Sequence, residues 1–217
     1  MDKKLIKSMN SVKMVEVTRS DEVESIHYGT AILINSSGEI LQEWGNSDIL
    51  IYPRSALKPI QSLNLYKDGV AEGLNISDEL IALTTASHHS ESFHQKMVIE
   101  WLEKINLSED NLCCGPDWPW NIDDKFKANL KYKKKRKIFH NCSGKHCAHL
   151  AVSKYKNLPT ENYNQKSHPI QKDLINLIED LSNYKIKNIG IDGCTLPNPL
   201  IPLKKFALTA AQIADYN

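Results

Sequence analysis

A serine and a lysine three positions apart, Ser55 and Lys58, are the residues of this chain whose types and spacing first suggest chemistry. Residues i and i+3 of a helix lie on one face, so their side chains can reach each other. A serine hydroxyl is a poor nucleophile until a base takes its proton. A buried lysine can be that base, because burial lowers its pKa. The spacing predicts an activated nucleophile, although a solvated surface pair can have the same spacing.

A second serine, Ser87, stands in the segment 84–91, which reads TTASHHSE. It follows the end of one predicted element and precedes a helix, where backbone N–H groups are free to stabilise an anion. The alternative is ordinary helix capping, because serine is a preferred N-cap residue and Glu91 is close by.

The segment 140–147, which reads HNCSGKHC, is dense in possible nucleophiles and metal ligands. Cys142 and Lys145 have i, i+3 spacing and share a face if a helix begins near Ser143. Lysine is an unusual metal ligand because it must be neutral to offer a lone pair, and His146 or His149 would be the usual choices. A phosphate-binding loop is excluded because no glycine precedes at the required distance. Buried structural thiols are the alternative.

An acid and a thiol, Asp192 and Cys194, follow the predicted strand Ile186 to Ile191. Functional side chains collect at the carboxyl ends of strands in layered structures. A simple Asp-Gly turn followed by a core cysteine would give the same sequence pattern.

Several elements are predicted to position these groups. A β-meander is expected over the first fifty residues, and helices are expected where apolar residues recur at helical spacing. Strands first, helices next and strands again predict an α+β fold with a layered antiparallel sheet. The predicted strands are Val12 to Val17, His27 to Asn35, Glu39 to Trp44, Ile49 to Tyr52 and Ile186 to Ile191; the predicted helices are 77–86, 91–105, 122–130, 143–156, 169–181 and 203–216.

The bulk composition is that of an ordinary globular chain. It has 217 residues, 41% of them hydrophobic and 24% charged, with a formal net charge of +1. This near-neutral charge argues against nucleic-acid binding, which would rest only on the basic run Lys131 to Lys137. No apolar run reaches membrane-spanning length, and the basic N-terminus lacks an apolar signal segment, so no membrane contact and a cytoplasmic location are expected.

The cysteine content points away from a disulfide framework. Five cysteines are an odd number, and the chain is neither small nor cysteine-dense. They are therefore expected to be reduced thiols, metal ligands or core residues. No C-x-x-C pair occurs, which excludes a standard zinc finger or ribbon.

Taken together, six motifs are far more specific than any one of them. In chain order they are RSALKPIQ at 54–61, ASH at 86–88, CGP at 114–116, NCSGKH at 141–146, HPIQ at 168–171 and DGC at 192–194. In this combination the chain resembles the asparaginase II family, the Rhizobium etli-type L-asparaginases, from about the first strand to its end.

The resemblance implies a fold similar to that of serine β-lactamases and penicillin-binding proteins, a homodimer, and hydrolysis of L-asparagine to aspartate and ammonia in asparagine catabolism. The family's catalytic groups fall on Ser55, Lys58 and Ser87. Its unusual zinc site falls on Cys142, Lys145 and Cys194. Arg54, Asp192 and His146 are expected to contact the substrate.

Two departures from the family pattern bear on activity. Family sequences continue beyond Asn217, and the portion that follows supplies a lysine partner for Ser87 and part of the sheet. Asp117 stands where the family usually has histidine after Gly-Pro. The resemblance therefore implies one incomplete domain over residues 1–217, truncated at its C-terminus.

The expected mechanism is an acyl-enzyme amide hydrolysis. Ser55 attacks the side-chain carboxamide of asparagine, Lys58 accepts its proton, ammonia leaves, and water releases aspartate. Zinc would position the substrate, since a serine nucleophile makes a metal-bound hydroxide redundant.

Two alternatives remain beside this mechanism. One is a zinc-binding homologue without catalytic activity. The other is a penicillin-interactive serine acyltransferase, suggested by the S-x-x-K pattern alone and disfavoured because its companion motifs S-D-N and K-T-G are missing.

Overall fold

The structure is a computed structural model that describes residues 10–215. Within that range the strands are β1 (Val12–Arg19), β2 (Glu22–Gly29), β3 (Ala31–Ile34), β4 (Ile40–Trp44), β5 (Leu50–Ile51), β6 (Ile189–Ile191), β7 (Pro197–Pro199) and β8 (Ile201–Pro202). The α-helices are α1 (Lys58–Ser62), α2 (Val70–Gly73), α3 (Asp78–Thr85), α4 (Ser92–Lys104), α5 (Ile122–Tyr132), α6 (Ser143–Tyr155), α7 (Pro169–Ser182) and α8 (Leu203–Ala214). Short 3-10 turns span Arg54–Leu57, Leu63–Leu65, Lys67–Gly69, Glu109–Asn111 and Lys137–Phe139.

The chain divides into two compact units. The first unit consists of Met1–Tyr52, Glu179–Asn188 and Leu200–Asn217. Its β1 and β2 form one antiparallel hairpin, β3 and β4 form another, and β5 pairs with β8. Helix α8 packs on β3. The β3–β4 turn uses Gly38 at a φ of +89°, a conformation that glycine adopts without a steric penalty.

The second unit consists of Pro53–Ile178 and Ile189–Pro199, and it contains every predicted site residue. Helix α6 is its centre, because every residue from Ser143 to Ser153 is buried. Such burial on all sides is expected of a helix that other elements surround. Gly144 permits the close approach of α3, because a Cβ there would lie 2.7 Å from the Leu83 carbonyl oxygen.

The six longer helices follow the sequence predictions closely, whereas the short α1 and α2 were not among the predicted helices. Helix α6 covers Ser143–Tyr155 and α7 covers Pro169–Ser182, each within one residue of its predicted range. The apolar spacing on α7 corresponds to burial, since Ile170, Leu174 and Ile178 are each at most 2% exposed. The last residues of the predicted C-terminal helix, 216 and 217, lie outside the described range.

The strands depart from prediction in their pairing. The mixed helical and antiparallel architecture agrees with the predicted α+β class, but the described strands form four two-stranded sheets rather than one meander. The sequence also missed most of β2, because the turn before it, at Ser20 and Asp21, has neither glycine nor proline. Ser20 adopts a φ of +53° there, which a non-glycine residue rarely does. No helix among residues 10–215 is long and apolar enough to cross a bilayer.

Candidate active site

The Ser55–Lys58 segment forms a tight turn at the start of the second unit. Arg54 begins it with a φ of +52°, and the 3-10 turn Arg54–Leu57 leads directly into α1. Lys58 is buried at 1% exposure, whereas Ser55 is exposed. Among the described residues, no hydrogen bond joins the Ser55 hydroxyl to the Lys58 amine. The turn therefore places a reachable hydroxyl three residues from an amine that water does not reach.

The Lys58 amine is instead hydrogen-bonded to the loop after α3. Its Nζ donates to the Ala86 carbonyl oxygen and lies 2.9 Å from Ser87 Oγ, where it also donates. Ser87 is exposed like Ser55, because α3 ends at Thr85 and the chain continues in an extended conformation. Burial lowers the pKa of Lys58, and the neighbouring Cys142 opposes that shift. The geometry thus pairs a lysine of weakened basicity with a serine.

Two thiols and a second amine meet beside this pair. Cys142 precedes α6 and Lys145 lies in its first turn, while Cys194 stands in the turn between β6 and β7. Lys145 Nζ donates to Cys194 Sγ at 3.2 Å. The interaction of each sulfur with the other raises the pKa of Cys142 and lowers the pKa of Cys194. Together with the contact to the Lys145 amine, this lowered pKa favours the thiolate form of Cys194.

These three side chains have the donor chemistry of a zinc site. Thiolates and a neutral nitrogen suit Zn²⁺, and three protein ligands leave a fourth position open. Among residues 10–215 no cluster of three or more His, Cys, Asp or Glu side chains is arranged to hold a metal ion. A site here therefore depends on lysine as the third donor.

Arg54 and Asp192 form an ion pair at the edge of the group. Arg54 Nε lies 3.1 Å from Asp192 Oδ1, and the arginine side chain is 71% exposed while that of the aspartate is 8% exposed. The same carboxylate oxygen accepts the Gly193 N–H at 2.9 Å. The turn that presents it is strained, because Thr195 adopts a φ of +78°, an outlier for a β-branched residue.

His146 lies beneath these groups. It is 0% exposed, and its Nδ1 is hydrogen-bonded to the Tyr163 hydroxyl. Burial lowers the pKa of His146, so the ring is neutral. The Tyr163 hydroxyl also accepts the Cys113 N–H at 2.9 Å, so it links the histidine to the backbone of the segment at Cys113.

The structure brings the predicted residues into one part of the second unit, with contacts that the sequence did not specify. It joins Lys58 to Ser87, Lys145 to Cys194, and Arg54 to Asp192. Three further residues, His88, Ser143 and Tyr163, make hydrogen bonds at the site and were not predicted as site residues from the sequence. The motifs ASH and NCSGKH contain the first two, but no local pattern marks Tyr163. Asp117 takes part in a backbone bridge with Arg136.

A buried lysine amine beside a serine hydroxyl is the arrangement of enzymes that use a base-activated serine nucleophile. The chain matches the family model described as L-asparaginase II over residues 15–217. Since this match covers most of the chain, the protein belongs to the L-asparaginase II family, a family of asparaginase-type amide hydrolases. A comparison with curated proteins gave no match.

Proposed function

We propose that this protein hydrolyses the side-chain amide of L-asparagine to L-aspartate and ammonia through an acyl intermediate on Ser55. Besides family membership, one observation carries the proposal. The buried Lys58 amine, with its lowered pKa, lies next to the loop of one exposed serine and three residues from another. Groups with perturbed pKa values at such a position are typical of catalytic sites.

The hydrogen bonds of Lys58 favour its role as a base toward Ser55. A neutral amine has two N–H groups and one lone pair. Its two acceptors, the Ala86 carbonyl oxygen and Ser87 Oγ, use both hydrogens. The lone pair is left for the proton of Ser55, which makes no competing hydrogen bond among the described residues.

In the first half-reaction, Ser55 Oγ bonds to the carboxamide carbon and its proton passes to Lys58. The tetrahedral intermediate then collapses, the C–N bond breaks, and Lys58 returns the proton to the leaving nitrogen, which departs as ammonia. Water attacks the ester by the same route, aspartate leaves, and Ser55 regains its proton. Backbone N–H groups near Ser55, assisted by the Ser87 hydroxyl, would stabilise the oxyanion, typically worth about 3 kcal/mol per donor.

Arg54 and Asp192 have the charges that the α-carboxylate and α-ammonium groups of asparagine require. Arg54 uses Nε on Asp192 and is otherwise exposed, so its terminal nitrogens are available for a carboxylate. Asp192 would accept from the ammonium group. His146 is fully buried, so in this proposal it acts behind Cys194 rather than against the substrate.

Cys142, Lys145 and Cys194 would hold zinc, whose positive charge, when bound, orients polar groups of the substrate. Lys145 would bind as a neutral amine and the cysteines as thiolates, so metal binding releases protons. The similarity to the serine β-lactamase fold stays a prediction.

A homodimer is the proposed assembly, and α5 offers a surface for it. Ile122, Phe126 and Leu130 lie at i, i+4 and i+8 on one face of α5 and are 79%, 63% and 63% exposed. The helix begins with Asp123 and Asp124 and ends among lysines. Two copies of α5 packed antiparallel would bury this stripe and place the acidic end of each helix near the basic end of the other.

Single-serine variants test the reaction. Ser55→Ala should abolish ammonia release from L-asparagine and the aspartyl adduct seen by mass spectrometry of acid-quenched enzyme. Ser87→Ala should lower the rate but keep the adduct, on the peptide that contains Ser55. The exposed strand residue Ser25 supplies the control Ser25→Ala, which should behave like the parent chain. An adduct on Ser87, or unchanged turnover by Ser55→Ala, would overturn the assignment.

One alternative function predicts a different outcome. A zinc-binding protein without hydrolase activity would bind one metal ion per chain through the same three side chains and release no ammonia from asparagine or glutamine. The lowered pKa of the Lys58 amine, together with its hydrogen bond to Ser87, argues against it, because a purely structural metal site does not need such a pair.

A further inference from the structure

His88 connects the loop of Ser87 to the segment that bears Cys142. Its backbone N–H donates to the Asn141 carbonyl oxygen at 3.2 Å, and its ring Nε2 lies 2.9 Å from Ser143 Oγ. Asn141 and Ser143 flank Cys142 on either side. The histidine and Ser143 are buried, at 3% and 0% exposure, so water does not compete for these bonds.

The partners of the ring establish its tautomer. The Ser143 hydroxyl donates to the Ile138 carbonyl oxygen at 3.1 Å, so its oxygen is an acceptor toward the histidine. The Ser90 N–H donates to His88 Nδ1 at 3.2 Å, so that nitrogen is unprotonated. Nε2 therefore carries the proton and donates to Ser143 Oγ. Both ring nitrogens are satisfied, which holds a neutral imidazole in one orientation.

Ser87 is thus held from two sides. Lys58 is hydrogen-bonded to its hydroxyl and to the preceding carbonyl, while His88 ties the following residue to the start of α6. The helices that carry these segments, α3 and α6, also approach closely at Gly144. A shift of the His88 ring would move the serine relative to Cys142 and Lys145.

We propose that His88 is a positioning residue, which through Ser143 and Asn141 sets the placement of Ser87 relative to the Cys142 and Lys145 side chains. Only the expected effect of His88 on catalysis rests on the proposed function. The connection between the two segments is a property of the fold and can be measured without substrate.

Hydrogen exchange followed by mass spectrometry tests the connection in the metal-free protein. His88→Leu and Ser143→Ala each remove the ring-to-hydroxyl bond, and both should raise exchange in the two segments 86–92 and 140–146 together. His88→Gln can still donate to Ser143 Oγ and should restore most of the protection. His94 supplies the matched control, because its ring stacks on His88 with centroids 5.2 Å apart but does not bond to Ser143. His94→Phe should leave the protection unchanged.

Kinetics test the catalytic consequence. His88→Leu and Ser143→Ala should lower kcat for asparagine by about 10²-fold with KM little changed, since misplacement of a catalytic group by about 1 Å costs on that order. His88→Gln should recover most of the rate. If His88→Leu does not fold, the kcat of Ser143→Ala is compared with that of His88→Gln instead.

Two results would overturn the proposal: parent-like exchange in either segment of Ser143→Ala, or an equal loss of kcat in His94→Phe. If the parent protein releases no ammonia, the proposed function fails, and the exchange result alone still decides whether His88 holds the two segments together.

Discussion

Lys58 Nζ lies 2.9 Å from Ser87 Oγ, although the two residues are 29 positions apart in the chain. The sequence spacing pointed to Ser55 as the hydroxyl nearest this amine. The hydrogen bonds of the amine instead run to the loop after α3, which leaves the Ser55 hydroxyl exposed. The lysine is therefore hydrogen-bonded to one exposed serine, Ser87, and lies three positions along the chain from a second, Ser55.

Replacing the buried lysine should separate activity from stability. Lys58→Met keeps the length and apolar stem of the side chain but removes the base, so we expect kcat to fall by about 10²- to 10⁴-fold. The free energy of unfolding should stay equal or rise, because the methionine side chain avoids the cost of removing a polar amine from water. Ammonia release and urea unfolding measure the two quantities. The exposed Lys154→Met is the control, and full activity in Lys58→Met would contradict the proton-acceptor role.

Metal binding should depend on the thiols at the site and not on thiols in general. We expect one zinc ion per chain by elemental analysis, lost in Cys194→Ala and in Lys145→Met. Cys147→Ala is a matched control, because Cys147 is also buried but, among the described residues, makes no side-chain hydrogen bond to Lys145 or Cys194. Zinc retained by Cys194→Ala, or lost by Cys147→Ala, would place the metal elsewhere.

The sequence predicted helix α7 well because its signals lie within one short segment of the chain. Pro169 at the first position of α7 and the apolar spacing of Ile170, Leu174 and Ile178 belong to one short segment, so no tertiary information is needed to read them. The motif residues could be assigned to one site because their order along the chain matches a family pattern.

Tertiary contacts explain what the sequence could not supply. The bond from His88 to Ser143 joins residues 55 positions apart, and neither neighbourhood contains a signal for it. The β1–β2 turn at Ser20 uses a left-handed conformation without glycine, so the usual turn chemistry is missing. The pairing of β5 with β8 is equally non-local. The predicted meander was wrong because the hairpins β1–β2 and β3–β4 form separate sheets.

The close approach of α3 and α6 makes Gly144 sensitive to a single methyl group. A Cβ there would lie 2.7 Å from the Leu83 carbonyl oxygen, which is backbone and cannot rotate away. Gly144→Ala should therefore lower the free energy of unfolding by about 1–3 kcal/mol, the usual cost of overpacking. At Gly115 a Cβ would meet nothing within 4 Å, so Gly115→Ala should change stability little. Equal urea midpoints for the two variants would contradict the predicted contact.

Buried neutral histidines should make stability fall in acid. Burial lowers the pKa of His88 and of His149 to about 3, against a model-compound value of 6.5. Above pH 6.5 both states hold these rings neutral. As the pH falls from 6.5 toward 3, the unfolded chain takes up protons that the folded chain does not, and stability is lost.

The expected slope is up to about 1.4 kcal/mol per pH unit for each histidine. Urea unfolding at pH 7, 6 and 5 measures it. His149→Gln should reduce the slope, whereas the exposed His27→Gln should leave it unchanged. A parent protein equally stable at pH 7 and pH 5 would show that these rings take up protons without unfolding.

The α5 stripe predicts how a dimer would respond to charge. Phe126→Asp puts a carboxylate at the centre of the stripe. If two copies pack there, light scattering should show that this variant is a monomer.

A charge-reversal pair of variants is the stricter test, because it leaves the apolar residues of the stripe in place. The acidic variant Lys131→Glu/Lys133→Glu and the basic variant Asp123→Lys/Asp124→Lys should each lose self-association. When mixed, the two should form a heterodimer, because in the antiparallel arrangement both acidic ends of one helix meet basic ends of the other. Phe93→Asp supplies a control at another exposed aromatic residue outside α5. A Phe126→Asp protein that remains dimeric would move the interface to another surface.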